Sequence, residues 1–213
     1  MKKIIFITLG FLILIIALGA AAIWLTPDLS NPETLENIAL RLQKISSLGD
    51  GSTTTDQFKK FISPDADFEM EYPADWQTID NENFLQAMVP QDWAEKYNLR
   101  ALFLAQNFLQ GKSNQLIVYA GIFKIPIKEI FEKMQETNRS NGWTVETLKL
   151  ETNGSEGTFE GEYVNPAGAH LRSKEKILSR GEKTYWVAFF ASEESWLEFI
   201  NTVDKILKSA TIE

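Results

Sequence analysis

The eight residues Thr184 to Ala191 read Thr-Tyr-Trp-Val-Ala-Phe-Phe-Ala, apolar at successive positions instead of at alternate ones. Successive side chains of a strand point to opposite faces, so this strand has to be covered above and below. Helices on both faces of the sheet follow, and the sequence provides them. Pro126 opens a stretch in which Ile127, Ile130, Phe131 and Met134 share one face, Glu129 and Lys133 form a surface pair, and Gly142 stops the helix. After the apolar strand, Ser192 stands at an N-cap with Glu193 and Glu194 in the first turn. Trp196, Phe199, Ile200, Val203, Ile206 and Leu207 then form a stripe, with Lys205 and Lys208 toward the C-terminal end.

The remaining strands are read from the same two periods. Gln57 to Ile62 and Phe68 to Tyr72 flank the turn Ser63-Pro64-Asp65-Ala66, and Phe68, Met70 and Tyr72 alternate with Glu69 and Glu71. Asp80 to Leu99 reads as an irregular, partly helical insertion, in which Pro90 opens a short helix through Trp93 and Tyr97. Ala101 to Leu109 and Leu116 to Phe123 form a hairpin of two central strands across Gln110 to Asn114. Trp143 to Leu150, Gly157 to Val164 and Ala169 to Leu178 complete the set, the last two joined by Asn165-Pro166-Ala167-Gly168. A regular hairpin there places Glu160 opposite Lys174 and Glu162 opposite Arg172. The order predicts a mixed α/β fold of the α+β type: a mostly antiparallel sheet between helices, an α/β/α sandwich.

Ahead of this domain, Ile4 to Leu25 is an uncharged apolar run preceded by Lys2 and Lys3 and closed by Trp24, Thr26 and Pro27. As a helix it reaches roughly 33 Å, enough to span a bilayer core of roughly 30 Å. Its length and the interfacial Trp24 favour a retained signal anchor, lysines inside and the rest outside the cytoplasmic membrane. Cleavage after Gly19-Ala20-Ala21-Ala22 and secretion is the alternative. Ser30 to Glu33 starts an amphipathic helix whose stripe is Leu35, Ile38, Leu42 and Ile45, lying on the domain or bilayer or pairing weakly with a second copy. Leu48 to Thr55 is a short flexible link. The expected units are an anchor at 1–27, a juxtamembrane helix and linker at 28–56, and one domain at 57–213.

Composition excludes several functions. The net charge of −8 is unfavourable for nucleic-acid backbones, and the lack of cysteine removes disulfides, thiolate zinc sites, a cysteine nucleophile and an acylated-cysteine anchor. His170 is the single histidine and follows a hairpin turn. Gly154-Ser155-Glu156-Gly157 lacks the first glycine of a nucleophile elbow and joins strand to strand. No glycine-rich dinucleotide or phosphate loop occurs, and no cofactor is expected. Asp65, Asp67, Glu69 and Glu71 alternate in a way that could hold a hard cation, although a turn and the wet face of a strand account for them. Trp76, Trp143, Trp186 and Trp196 read as core, with a ligand pocket as the other reading. Trp93 and Tyr97, in the insertion, read as an exposed recognition surface.

The strand ending in Tyr72-Pro73-Ala74-Asp75-Trp76, the middle hairpin and helix, and the terminal aromatic strand with its amphipathic helix together resemble the PsbP-like (Mog1/PsbP) domain. The likeness covers about residues 57 to 213 and is mostly one of order and spacing. It implies an α/β/α sandwich and a non-enzymatic binding or assembly role at a membrane, and it carries over no specific partner. The chain departs from that family's photosynthetic members in having an apolar span in place of a transit peptide. The expected function is a membrane-anchored, extracytoplasmic binding module whose partners are the bilayer and an envelope protein, with no nucleic acid. The alternative is an extracytoplasmic enzyme or small-ligand carrier with a pocket invisible in one sequence.

Overall fold

The computed structural model describes residues 57–109 and 112–213. The span from Ile4 through Trp24 to Leu25 and the stripe Leu35, Ile38, Leu42 and Ile45 lie outside these residues. No helix among the described residues is long and apolar enough to cross a membrane.

The apolar strand, β9 (Lys183–Ser192), runs through the middle of a sheet built from β3 (Gln77–Thr78), β4 (Arg100–Leu109), β5 (Lys112–Ile122), β6 (Thr144–Thr152), β7 (Glu156–Val164) and β8 (His170–Arg180). The order is β3-β4-β5-β9-β8-β7-β6, and every pairing is antiparallel. From β9, Trp186 and Ala188 enter one apolar layer while Tyr185, Val187, Phe189 and Ala191 enter the other. The first layer lies under α1 (Glu82–Ala87), α2 (Gln91–Tyr97) and α3 (Ile127–Ser140). The second lies under α4 (Glu193–Ser209) and a small separate sheet in which β2 (Phe68–Pro73) pairs with β1 (Phe58–Ile62) and β10 (Thr211–Ile212). Helices cover both faces, as the doubly apolar strand requires, and the class is mixed α+β with antiparallel sheets.

Local chemistry sets the ends of the two long helices. The Ser192 hydroxyl accepts from Ser195 N–H and caps α4, with Glu193 and Glu194 at the positive end of its dipole. Trp196, Phe199, Val203, Ile206 and Leu207 are all buried against the sheet, an apolar contribution on the order of 10 kcal/mol before entropy is counted. Gly142, at φ +83°, turns the chain out of α3 where a side chain would be strained.

The β7–β8 register is the expected one, Glu160 with Lys174 and Glu162 with Arg172. The ion pairs are less regular. Arg172 reaches both Glu160, at 3.0 Å, and Glu162, at 3.7 Å, whereas Lys174 turns to Asp204 of α4. Strand β5 starts at Lys112 instead of Leu116, because backbone pairing with Leu109 extends the hairpin beyond its apolar part. The segment Phe58–Pro73 belongs to the small sheet, completed by the tail after α4. The far edge of the main sheet, β6, carries a register shift between Thr147 and Lys149 and a charged surface.

Helix α3 rests on β7 at a glycine. A Cβ on Gly157 would stand 2.5 Å from Ile127 Cγ2 and 3.2 Å from Phe131 Cε2, and Phe131 is fully buried. Gly157→Ala is therefore expected to lower stability by about 1–3 kcal/mol through overpacking. Urea denaturation measures this, and an unchanged midpoint would contradict the seating of α3 on Gly157.

Candidate functional site

Between α2 and α3, above β5, β9, β8 and β7, lies a cavity of about 130 Å³. Tyr119 of β5, Trp186 and Phe190 of β9, and Tyr163 of β7 contribute to its lining from the sheet. Trp93 of α2 and Trp143, just past α3, contribute from above, while Thr137, Asn138 and Asn141 form a more polar, accessible rim. Trp93 Nε1–H donates to Thr137 Oγ1 at 3.3 Å and links the two helices across the cavity. Ring packing fixes the walls: Trp93 and Trp186 centroids are 6.3 Å apart, Tyr119 and Trp186 5.5 Å, and Trp143 meets Tyr163 edge-on at 6.4 Å.

Behind this wall Glu175 of β8 is completely buried. Its Oε1 accepts from Ser173 Oγ–H at 2.8 Å and from Tyr163 O–H at 3.2 Å, and its Oε2 accepts from Trp186 Nε1–H at 2.8 Å. Burial pushes its carboxyl up to about 7, opposed by the hydrogen bonds from Ser173, Trp186 and Tyr163. The hydroxyls of Tyr163 and Tyr119 are pushed up first by their own burial and then by this carboxylate. Two residues that hold Glu175, Tyr163 and Trp186, thus also line the cavity.

The residues singled out from the sequence fall in three places. Trp93 and Tyr97 do not form an exposed surface: both are buried, because α2 turns them onto Phe123 and the sheet, Tyr97 stacking on Phe123 at 4.5 Å. Trp93 nevertheless reaches the cavity. Of the four tryptophans read as core, Trp196 on α4 and Trp76 are buried in the layer between α4 and the sheet, while Trp143 and Trp186 are buried and line the cavity as well. The acidic alternation is divided among lysines. Asp67 accepts from Lys183, Tyr185 and Ser63; burial alone would raise its carboxyl, but these hydrogen bonds hold it at about 2. Asp65 lies 3.6 Å from Lys183 and Glu69 lies 3.0 Å from Lys60. Among the described residues no group of three or more histidine, aspartate or glutamate side chains could hold a metal ion. His170 is exposed at the start of β8.

Sequence reasoning passed over Glu175, although a signal was present. Once Arg172 and Lys174 are set opposite Glu160 and Glu162 on one face, Leu171, Ser173, Glu175 and Ile177 share the other. An acid between Leu171 and Ile177 on that face marks a buried charge.

The sequence matches no protein-family model and no curated protein. Among solved structures it is similar to CyanoP, the cyanobacterial PsbP of Synechocystis sp. PCC 6803, at 13% identity and a TM-score of 0.51, covering 78% of this chain and 99% of that one. The fold is PsbP-like. LpqN of Mycobacterium tuberculosis, described as involved in cell envelope biogenesis, matches at 12% identity and a TM-score of 0.45, covering 77% of this chain and 99% of that one. At such identities the likeness concerns the fold, and the chemistry of this PsbP-like domain has to be read from its own cavity.

Glu175 makes stability depend on pH. Its carboxyl titrates at about 7 in the folded chain against an ordinary value of 4.5, so the folded state holds more protons between these limits. Its contribution to stability is greatest below pH 4.5, falls as pH rises toward 7, and is level above that, the difference being about 3 kcal/mol. Glu175→Gln is expected to abolish this slope while folding normally, because an amide oxygen can accept from Trp186 and its NH₂ can donate to the Ser173 and Tyr163 hydroxyls. Urea titrations across that pH range check it, and an undiminished slope in Glu175→Gln would exclude Glu175 as the source.

Proposed function

We propose that this chain is a membrane-tethered, non-catalytic binding module, and that the cavity between α2 and α3 is its recognition site. The observation that carries this reading is the cavity itself, apolar and aromatic within and polar at the rim, the usual composition of a ligand site. Its volume of about 130 Å³ admits one small group and excludes a helix or strand, so the occupant is a small molecule or a single group projecting from an envelope partner. A dry engineered cavity of about 150 Å³ accepts benzene, which sets the scale.

Binding in preference to catalysis is supported by Glu175. Both of its oxygens are engaged by Ser173, Tyr163 and Trp186, and it stands behind rings that a reactant would have to displace. The tether is supported by the apolar run from Ile4 to Leu25 with Lys2 and Lys3 before it. The domain then stands outside the cytoplasmic membrane, held near its surface by the short link.

Two measurements test the reading. The full chain is expected to stay with membranes under alkaline carbonate washing and to be released when residues 1–27 are deleted; recovery of a soluble product shortened at its N-terminus would overturn the tether. Asn138→Trp, at the rim of the cavity, is expected to weaken binding of small aromatic probes by about tenfold or more with little effect on the urea midpoint. Equal binding by the wild type and this variant, followed by tryptophan fluorescence, would place recognition elsewhere.

A further inference from the structure

We propose that the cavity binds an organic cation of trimethylammonium size, surrounded by an aromatic cage whose Trp186 and Tyr163 members are hydrogen-bonded to the Glu175 carboxylate behind them. This rests on the reading of the cavity as the recognition site and specifies the chemistry of its occupant.

Three observations converge on it. Trp93, Trp143, Trp186, Tyr119 and Tyr163 contribute to the wall, and ring faces of this kind attract ammonium groups, tryptophan most strongly. A trimethylammonium group has fewer non-hydrogen atoms than benzene, so it suits a cavity of about 130 Å³. The third is charge. Glu175 is buried with three neutral donors, and no lysine or arginine among the described residues forms an ion pair or hydrogen bond with it. A buried carboxylate without a counter-charge is costly, and a cation arriving in the adjoining cavity compensates it.

The coupling between the two runs through hydrogen-bonded side chains. The Trp186 indole N–H and the Tyr163 O–H donate to Glu175, while the same side chains line the cavity. Donation to an anion increases electron density in both rings and strengthens their attraction for a cation. The outer rim, with Asn138 and Asn141, is suited to the polar remainder of the ligand.

The other ionisable groups around Glu175 leave this balance intact. Tyr163 from β7 and Tyr119 from β5 are held neutral, and Arg139 of α3 directs its guanidinium to Gln135 Oε1 at 3.2 Å and the Val145 carbonyl at 3.3 Å. Because Glu175 titrates at about 7, cation affinity rises with pH through that range, and binding releases a proton.

The test uses the full chain in a non-ionic maltoside micelle, with tryptophan fluorescence as readout. Choline is compared with its neutral carbon isostere dimethylbutanol, at about pH 5.5 and about pH 8.5, on either side of the titration. Choline is expected to bind about tenfold more tightly than the isostere at the higher pH, with the advantage reduced at the lower pH and in Glu175→Gln. Equal affinities for the two would overturn the cation site while leaving an apolar recognition site standing; binding of neither would overturn both. If Glu175→Gln fails to melt cooperatively, the pH comparison on the wild type decides alone, and a pH-independent advantage overturns the role of Glu175. Glycerophosphocholine identifies the source: tighter binding than choline supports the cation site with a lipid headgroup as ligand, and weaker binding supports it with a free small cation.

Discussion

A strand with apolar side chains on both faces cannot be left open to water on either, and β9 imposes that condition on the whole domain. Its neighbours β5 and β8 sit under the same two layers, so the sheet has to be roofed twice. The roofs differ in character. On one side α4 is a long, well-capped helix whose stripe of Trp196, Phe199, Val203, Ile206 and Leu207 is closed off from solvent, and the small sheet of β1, β2 and β10 seals the remainder. On the other side three shorter helices share the task, and α2 and α3 leave a cavity between them. One face of the domain is filled, and the other keeps an opening.

The cavity side also contains a fully buried carboxyl group, Glu175. A carboxylate buried on the inner face of β8 lowers stability as it ionises, while Ser173, Tyr163 and Trp186 offset part of that cost. Two of those donors, Tyr163 and Trp186, also line the cavity, so stabilisation of the charge and the shape of the recognition site share side chains. The cation proposed to bind there completes the compensation that the protein leaves unfinished.

Much of the fold was legible because it rests on periodicity. The doubly apolar strand, the stripes of α3 and α4, the Ser192 cap and the β7–β8 register all depend on nearest-neighbour geometry that a linear pattern records. The small sheet was less legible, because β10 is two residues long and acquires its identity only by pairing with β2. The misreading of Trp93 and Tyr97 has the same origin: their exposure depends on which way a short helix turns over a sheet, and that is decided by Phe123 and Trp186, distant in sequence. Glu175 lay between these cases, since strand parity set it between Leu171 and Ile177 on the inward face, while the partners that hold it, Tyr163 and Trp186, come from other strands. The cavity was not legible at all, because a void is defined by residues from α2, α3 and four strands that meet only in space.

The outer edge of the sheet has a consequence for how such domains coexist. Strand β6 ends the ladder with Glu146, Lys149 and Glu151 along it and a register irregularity between Thr147 and Lys149, and at the opposite edge β3 has only two residues. Neither border offers a long, flat, uncharged row of backbone donors and acceptors to another chain. The ladder is thus finite by construction, and many copies can be crowded into a small volume without their sheets fusing end to end.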